Sequence, residues 1–251
     1  MKSGGIRLTR LYLPGELVPG RTCALSQQQA HHATRVLRLK TGDGVTLFNG
    51  DGAEYDALVT SVGRIAVNVK IGERRPVDRE SRLEIVLGQA LSSGERMDYT
   101  VQKAVELGVA AIHPLAASRS VVRLDGERAA KRVSHWQSVA IAACEQCGRN
   151  RVPPVDPVSM LEAWLARDGA RPTGALRVLL SPRAETRLRD LPGPGGAIVL
   201  LAGPEGGFTR DEEALARAGG FTPVRLGPRV LRTETAAVAA LAAMQALWGD
   251  Y

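Results

Sequence analysis

Long hydrophobic runs are missing from this chain. No stretch of its 251 residues approaches the ~20 consecutive apolar side chains that a bilayer-crossing helix needs, which excludes a membrane-spanning helix. The opening decapeptide, MKSGGIRLTR, has no apolar segment of the kind that opens a secretory signal, and a cytoplasmic protein is expected. Cysteine is scarce. The three present, Cys23, Cys144 and Cys147, form an odd set that builds no disulfide framework, as fits a compartment where thiols stay reduced. Cys144 and Cys147 make a lone C-x-x-C. A structural zinc wants four ligands, and the four histidines provide no second pair at ligand spacing. The pair reads as two thiols one turn apart on a helix, and no metal is expected.

The familiar phosphate motifs are absent too. There is no G-x-x-x-x-G-K-[ST], and GPEGGF at 203–208 is not a G-x-G-x-x-G that opens a helix, so neither a P-loop nor a dinucleotide fingerprint is supported. Acidic residues are short in one region. Residues 1–50 hold two, Glu16 and Asp43, against seven bases, Lys2, Arg7, Arg10, Arg21, Arg35, Arg38 and Lys40, whereas residues 81–251 carry 18 acids and 21 bases. The net charge of +7 points to a polyanionic partner, and the asymmetry places its docking surface in the N-terminal part.

With 44% hydrophobic residues, the chain can bury a sizeable core. Up to about residue 71 the pattern is one of short strands. RLTRLYL alternates, VTLFNGDGAEYDALVTSV holds an N-G-D-G turn between two β-rich runs, and RIAVNVKIG alternates again. Ser26 and Gln29 form a capping box ahead of AHHATRVLRL. These features predict a small β-barrel carrying one helix, a shape common among RNA-binding modules.

The charged segment ERRPVDRES at 73–81, with Pro76 inside it, reads as a linker, dividing the chain into residues 1–75 and 76–251. Beyond it, strands alternate with helices. LEIVLGQAL, AIHPL, LRVLLSP, AIVLLAG and VRLG read as strands. ERMDYTVQKAVELGV, spans over 125–147, 158–167 and 209–218, and TETAAVAALAAMQALWG read as helices. The class is α/β with a parallel sheet covered on both faces. Ligands of such sheets bind beyond the carboxyl ends of the strands, and three of those ends are distinctive: LLSPR, LAGPEGGF and RLGPRVLRTETAA. A loop that exposes backbone around one carboxylate, Glu205, suits a neutral or cationic ligand such as an adenosine sulfonium. Read by itself, a Pro-Gly-Gly loop is more often just a sharp turn with a solvated glutamate.

LAGPEGGFTRDE followed by LGPRVLRTETAA, with MDYTVQKAVELGV, AIHPL, SRSVV and AIAACEQCGRNRVP, resembles the 16S rRNA uridine-N3 methyltransferase family (RsmE) of the SPOUT superfamily. RLTRLYL and HHATRVLRLKTGD resemble that family's RNA-binding domain, so the likeness runs through nearly the whole chain in order. The resemblance implies S-adenosylmethionine as methyl donor, a C-terminal trefoil knot, a PUA-like N-terminal barrel, a homodimer, and 16S rRNA of the small ribosomal subunit as substrate. Carried over by matching segments, it implies a cofactor pocket made by Leu180, Ser181, Leu201, Ala202, Gly203, Pro204, Glu205, Gly206, Leu226, Gly227, Val230, Leu231 and Thr233.

The implied reaction must deal with the proton of an imide nitrogen, and the candidate groups are Arg232, Glu234 and Glu205. Arg232 suits a developing uracil anion as a charge-assisted donor. Glu234 suits a base or an orienter of Arg232, although TETAA also reads as a helix start with Thr233 as N-cap and an early acid facing the dipole. Arg7, Arg10, Arg35, Arg38, Arg149, Arg151 and Arg229 are assigned to RNA phosphates. Two other readings stay open: a ribose 2′-O-methyltransferase of the same superfamily, and a ribosome-assembly factor with a vestigial pocket.

Overall fold

The computed structural model describes residues 9–63, 66–122, 124–166 and 174–251. Two compact units divide the chain. One runs up to Glu80 and takes in Cys144–Val152; the other comprises Ser81–Ala143 and Pro153–Tyr251.

In the first unit, strands β1 (Thr9–Tyr12), β2 (Thr22–Ala24), β3 (Gly44–Phe48), β4 (Ala53–Val62) and β5 (Val67–Pro76) form one sheet in the order β1-β3-β4-β5-β2. The N-G-D-G segment turns as its chemistry dictates. Asn49 Oδ1 accepts from Asp51 N (3.1 Å) and Asp51 Oδ1 from Ala53 N (2.8 Å), side-chain bonds that stand in for backbone ones. Helix α1 (Gln27–Arg35) starts at the expected capping box, with Gln29 Oε1 accepting from Ser26 N and Ser26 Oγ from Gln29 N. It ends four residues earlier than the pattern suggested. Arg38 takes a left-handed φ of 53° and Leu39 N turns back to Ala33 O. Ala30 and Ala33 of α1 pack with Leu11, Leu47, Val59 and Val69 in one apolar core.

A buried polar cluster holds residues 144–152 to this unit. Glu54, 4% exposed, accepts from Arg10 and from Arg79 Nη1 (2.6 Å). Arg10 also donates to Arg149 O and Asn150 Oδ1. Glu80 takes the guanidinium of Arg149 (2.7 Å) and the backbone N–H groups of Asn150 and Arg151. Cys144 is buried here and donates to Arg151 O, and burial pushes its thiol up to about 12. The thiol stays protonated and serves packing.

The second unit is a six-stranded, wholly parallel sheet of β6 (Ile85–Ala90), β7 (Ala111–Ala116), β8 (Ser159–Met160), β9 (Leu176–Leu180), β10 (Ile198–Ala202) and β11 (Thr222–Val224), in the order β11-β9-β10-β6-β7-β8. Helices α2 (Gly94–Glu106), α3 (Gly126–Cys147), α4 (Leu161–Ala166), α5 (Arg210–Ala218) and α6 (Thr233–Trp248) follow β6, β7, β8, β10 and β11, whereas β9 and β10 are joined through a short 3-10 turn at Leu188–Asp190. β10 is buried along its whole length and β6 nearly so, as a sheet covered on both faces requires. Gly88 is obligatory in β6. A Cβ there would lie 2.8 Å from Trp164 Cη2, in the ring that α4 lays on the sheet. Among the described residues no helix is long and apolar enough to cross a membrane.

Two boundaries differ from the sequence pattern. Ser159 and Met160, expected in a helix, pair with Leu115 and Ala116 and shorten α4. VRLG is not a strand, because β11 stops at Val224. Arg225 leaves the sheet and bonds instead to Thr186 and Leu188 of the connection that follows β9. Its departure frees residues 225–232 to form a wall.

Candidate active site

The carboxyl ends of β9, β10 and β11 border one cavity of about 680 Å³, within the range of sites that engulf a cofactor-sized ligand. Its first wall is residues 203–208. The turn closes through Gly207 N to Pro204 O, with Gly207 at φ 65°. Gly206 passes so close to Arg119 that a Cβ would lie 3.1 Å from the Arg119 Cβ, and Arg119 Nη1 donates to Gly206 O. Glu205 leans on α2: its Oε1 accepts from Ser93 N (2.9 Å) and Arg96 Nη1 (3.0 Å). Burial alone would raise the Glu205 pKa. Hydrogen bonds from Ser93 N, its own backbone N–H and Arg96 outweigh that and hold the carboxyl below the usual carboxylate range.

The second wall is residues 224–233. Arg232 is the N-cap of α6 by backbone only, since its side chain makes no capping bond. Thr233, expected as the N-cap, is the first helical residue instead. Its hydroxyl is drawn to Gly203 O, to which it donates at 2.6 Å. Glu234 follows in the first turn, with Oε1 3.9 Å from Arg96 Nε. The second oxygens of both carboxylates, Glu205 Oε2 and Glu234 Oε2, are buried and without a partner among the described residues. At the floor, Ser181 Oγ lies 3.4 Å from Glu213 Oε1, which also accepts from Arg183.

Of the expected cofactor-pocket residues, Leu180, Ser181, Gly203, Pro204, Glu205, Gly206, Leu226, Gly227, Val230, Leu231 and Thr233 line the cavity. Leu201 and Ala202 do not. They complete β10 in the sheet interior and supply packing. Arg229 and Arg232 also line it, and neither guanidinium has an acceptor among the described residues. Arg96, Arg119, Arg183, Arg225 and Glu213 belong to the lining as well, and sequence reasoning passed them over. Arg96 lies in ERMDYTVQKAVELGV, whose pattern predicts a helix and nothing about the arginine. Arg119 lies in SRSVV, a segment whose residues suggest no role of their own.

The assigned RNA contacts divide. Arg35, Arg38 and Arg151 are exposed. Arg10 and Arg149 are corrected: each side chain is only 8% exposed and is engaged by Glu54 and Glu80 respectively, so neither offers its charge to a phosphate. Arg7 lies outside the described residues.

Residues 79–245 match an RNA methyltransferase domain, and residues 25–72 match an RNA methyltransferase PUA domain. A ribosomal RNA small subunit methyltransferase E from Buchnera aphidicola is 33% identical over 97% of this chain and 98% of its own, and one from Bacillus subtilis is 32% identical over 89% of each. Among solved structures, ribosomal RNA small subunit methyltransferase E from Neisseria gonorrhoeae, bound to S-adenosylmethionine, is 44% identical with a TM-score of 0.90, covering 97% of this chain and 99% of that one. A Legionella pneumophila methyltransferase, also with S-adenosylmethionine bound, is 43% identical with a TM-score of 0.93, covering 98% and 100%. Both units are matched and the likeness spans nearly the full length, so the chain belongs to the ribosomal RNA small subunit methyltransferase E family.

Proposed function

We propose that this protein transfers a methyl group from S-adenosylmethionine to N3 of a uracil in 16S rRNA of the small ribosomal subunit. The observation that carries the reading is Glu205 Oε2, a buried carboxylate oxygen without a partner among the described residues, in the wall of a glycine-walled cavity, with a second such oxygen, Glu234 Oε2, one residue beyond the lining Thr233. A buried acceptor without a donor is costly. A ligand with a positive centre relieves that cost, and a polyphosphate would add to it. The lining fits such a ligand in its other parts: Leu180, Leu226, Val230 and Leu231 give apolar cover, and the loops at 203–207 and 226–231 bring main chain close. S-adenosylmethionine, when bound, supplies an electrophilic methyl on its sulfonium.

The chain's own groups handle the proton and the charge. Glu234, which does not line the cavity itself but adjoins the lining Thr233 in the first turn of α6, is assigned to take the N3 proton of the uracil as the nitrogen gains the methyl. The guanidinium of Arg232 stabilises the anion that remains on the ring. Glu205, already committed to Ser93 and Arg96, keeps its charge and holds the shape of its loop. Arg35, Arg38, Arg151 and Arg229 supply the phosphate contacts, whose contribution falls as salt rises. The test is incubation with labelled S-adenosylmethionine and small subunits that lack the modification, followed by nucleoside mass spectrometry. Label on the base nitrogen is expected. Label on a ribose overturns the assignment of the acceptor atom, and absence of both label and cofactor binding favours an assembly factor.

The reading extends to chain topology and assembly. Arg225 pairs with Thr186 and Leu188 on the connection leaving β9 before the chain returns to α6, an arrangement that favours a trefoil knot at this end. Helix α6 is apolar almost all round, as buried helices are, yet Ala246 and Leu247 are exposed. They border a second hollow with Arg187, Leu188 and Pro228, and a second copy of the chain is the occupant we assign. Leu247→Asp is expected to convert a dimer to a monomer in light scattering; an unchanged mass removes α6 from the interface.

A further inference from the structure

The interior of the parallel sheet contains one amide whose placement is not explained by packing. Gln89, the fifth residue of β6, is 0% exposed in a strand otherwise made of Ile, Val, Leu, Gly and Ala. Its Nε2 donates to Ala90 O (3.0 Å) and to Thr233 Oγ1 (3.1 Å), and Thr233 Oγ1 in turn donates to Gly203 O (2.6 Å). The polarity of this chain of bonds is fixed. Both protons of the amide are used, the hydroxyl proton is used, and Gln89 Oε1 is left buried without a partner among the described residues. Turning the amide over would set its oxygen against Ala90 O. An apolar side chain of similar size would fill the site without stranding an acceptor. A sheet that needed only packing has no use for this glutamine.

The three groups it joins belong to three different elements: the end of β6, the loop that leaves β10, and the first turn of α6. Gly203 and Thr233 both line the cavity, one from each wall, and their hydrogen bond joins the two walls. Thr233 is flanked in sequence by Arg232 and Glu234, the two groups given the charge and the proton above. A shift of the first turn of α6 therefore moves both together relative to the 203–207 loop. Hydrogen-bonded chains in a low-dielectric interior are also mutually reinforcing, which suits a fixed spacing.

We infer that Gln89 is a positioning residue for methyl transfer: through Thr233 and Gly203 it sets the spacing between the two cofactor-pocket walls, and with it the aim of Arg232 and Glu234. It touches neither substrate nor cofactor in this role. The inference rests on the methyltransferase reading. Misplacement of reacting groups by a fraction of an ångström lowers turnover far more than affinity, and that difference is the signature to measure.

The experiment compares the full-length wild type, Gln89→Leu, Thr233→Val and the double variant, with S-adenosylmethionine affinity, kcat on unmodified small subunits and thermal melting measured for each. Gln89→Leu is expected to lower kcat by about 10- to 100-fold, with cofactor affinity changed much less and the melting temperature not lowered. The double variant should fall no further than Thr233→Val alone, since either substitution breaks the same chain of bonds. Gln89→Leu with wild-type kcat, or losses that multiply in the double variant, would overturn the inference. A parallel fall in melting temperature and cofactor affinity would make Gln89 a structural residue only. A wild-type protein that transfers no methyl group to small-subunit RNA defeats the underlying reading instead, and is distinguished by that control.

Discussion

Arg232→Ala is expected to lower kcat by about 10²- to 10³-fold while leaving S-adenosylmethionine affinity nearly unchanged, the size of effect seen when one preorganised donor to a developing anion is removed. The structure makes this substitution unusually clean. Arg232 caps α6 through its backbone, and its side chain contributes no capping bond, so truncation leaves the helix start intact. The guanidinium has no acceptor among the described residues although it lines the cavity, so no neighbouring carboxylate is stranded. Arg232→Lys should recover only part of the loss, because an ammonium keeps the charge but not the planar fork. Isothermal titration with the cofactor and single-turnover methylation separate the two quantities. If Arg232→Ala chiefly abolishes cofactor binding, Arg232 is a cofactor ligand and the uracil anion must be met by another group, with Arg229 or Arg96 next in line. Glu205→Gln offers the contrast. Its carboxylate is tied to Ser93 N and Arg96, so its loss loosens the loop and should appear in cofactor affinity.

Much of the second unit could be read in advance because its signals are local. Continuous apolar runs such as IVLLA mark strands buried on both faces, T-x-x-E at Thr209 and Glu212 closes a true capping box at the start of α5, and the carboxyl-end rule for parallel sheets pointed to the three loops that do meet. What escaped was set by distant partners. Arg96 is 109 positions from Glu205, and nothing in ERMDYT announces that its arginine faces a cavity. VRLG has the alternation of a strand, but the hydrogen bonds of Arg225 go to the connection after β9, and no window of sequence contains that competition. Charge was the most misleading guide. The excess of arginine near the N-terminus is real, yet Arg10 sits beneath Glu54 and over the Phe48 ring. A net count cannot tell a solvated cation from a buried one whose partner lies 44 residues away.

That buried cation carries the largest stability effect. Glu54→Ala is expected to destabilise the protein by about 3–5 kcal/mol, the cost of leaving a buried charge without its partner, out of a total that for ordinary domains is about 5–15 kcal/mol. Arg75 and Arg79 also reach Glu54, but both are nearly half exposed and can turn to water. Arg10 cannot, with 8% of its side chain exposed and Asn150 and Arg149 O as its remaining acceptors. Acid should act on the same group. Burial disfavours the Glu54 carboxylate, but the hydrogen bond from Arg79 and the charge of Arg10 outweigh it, so the folded-state pKa lies below the ordinary value. A depressed carboxyl pKa gives stability that is fully present above the unfolded-state value of about 4.3 and is lost as pH falls through the lower, folded-state one. Denaturant titrations between neutral pH and pH 3 should therefore find the wild type losing stability faster than Glu54→Ala, with the two curves converging at the acid end. Replacing both partners, Glu54→Leu with Arg10→Met, should recover most of the loss at neutral pH, because an apolar pair leaves no unpaired charge. A double variant as unstable as Glu54→Ala would mean that the cluster contributes through Asn150 and residues 144–152, and that the ion pair itself is incidental.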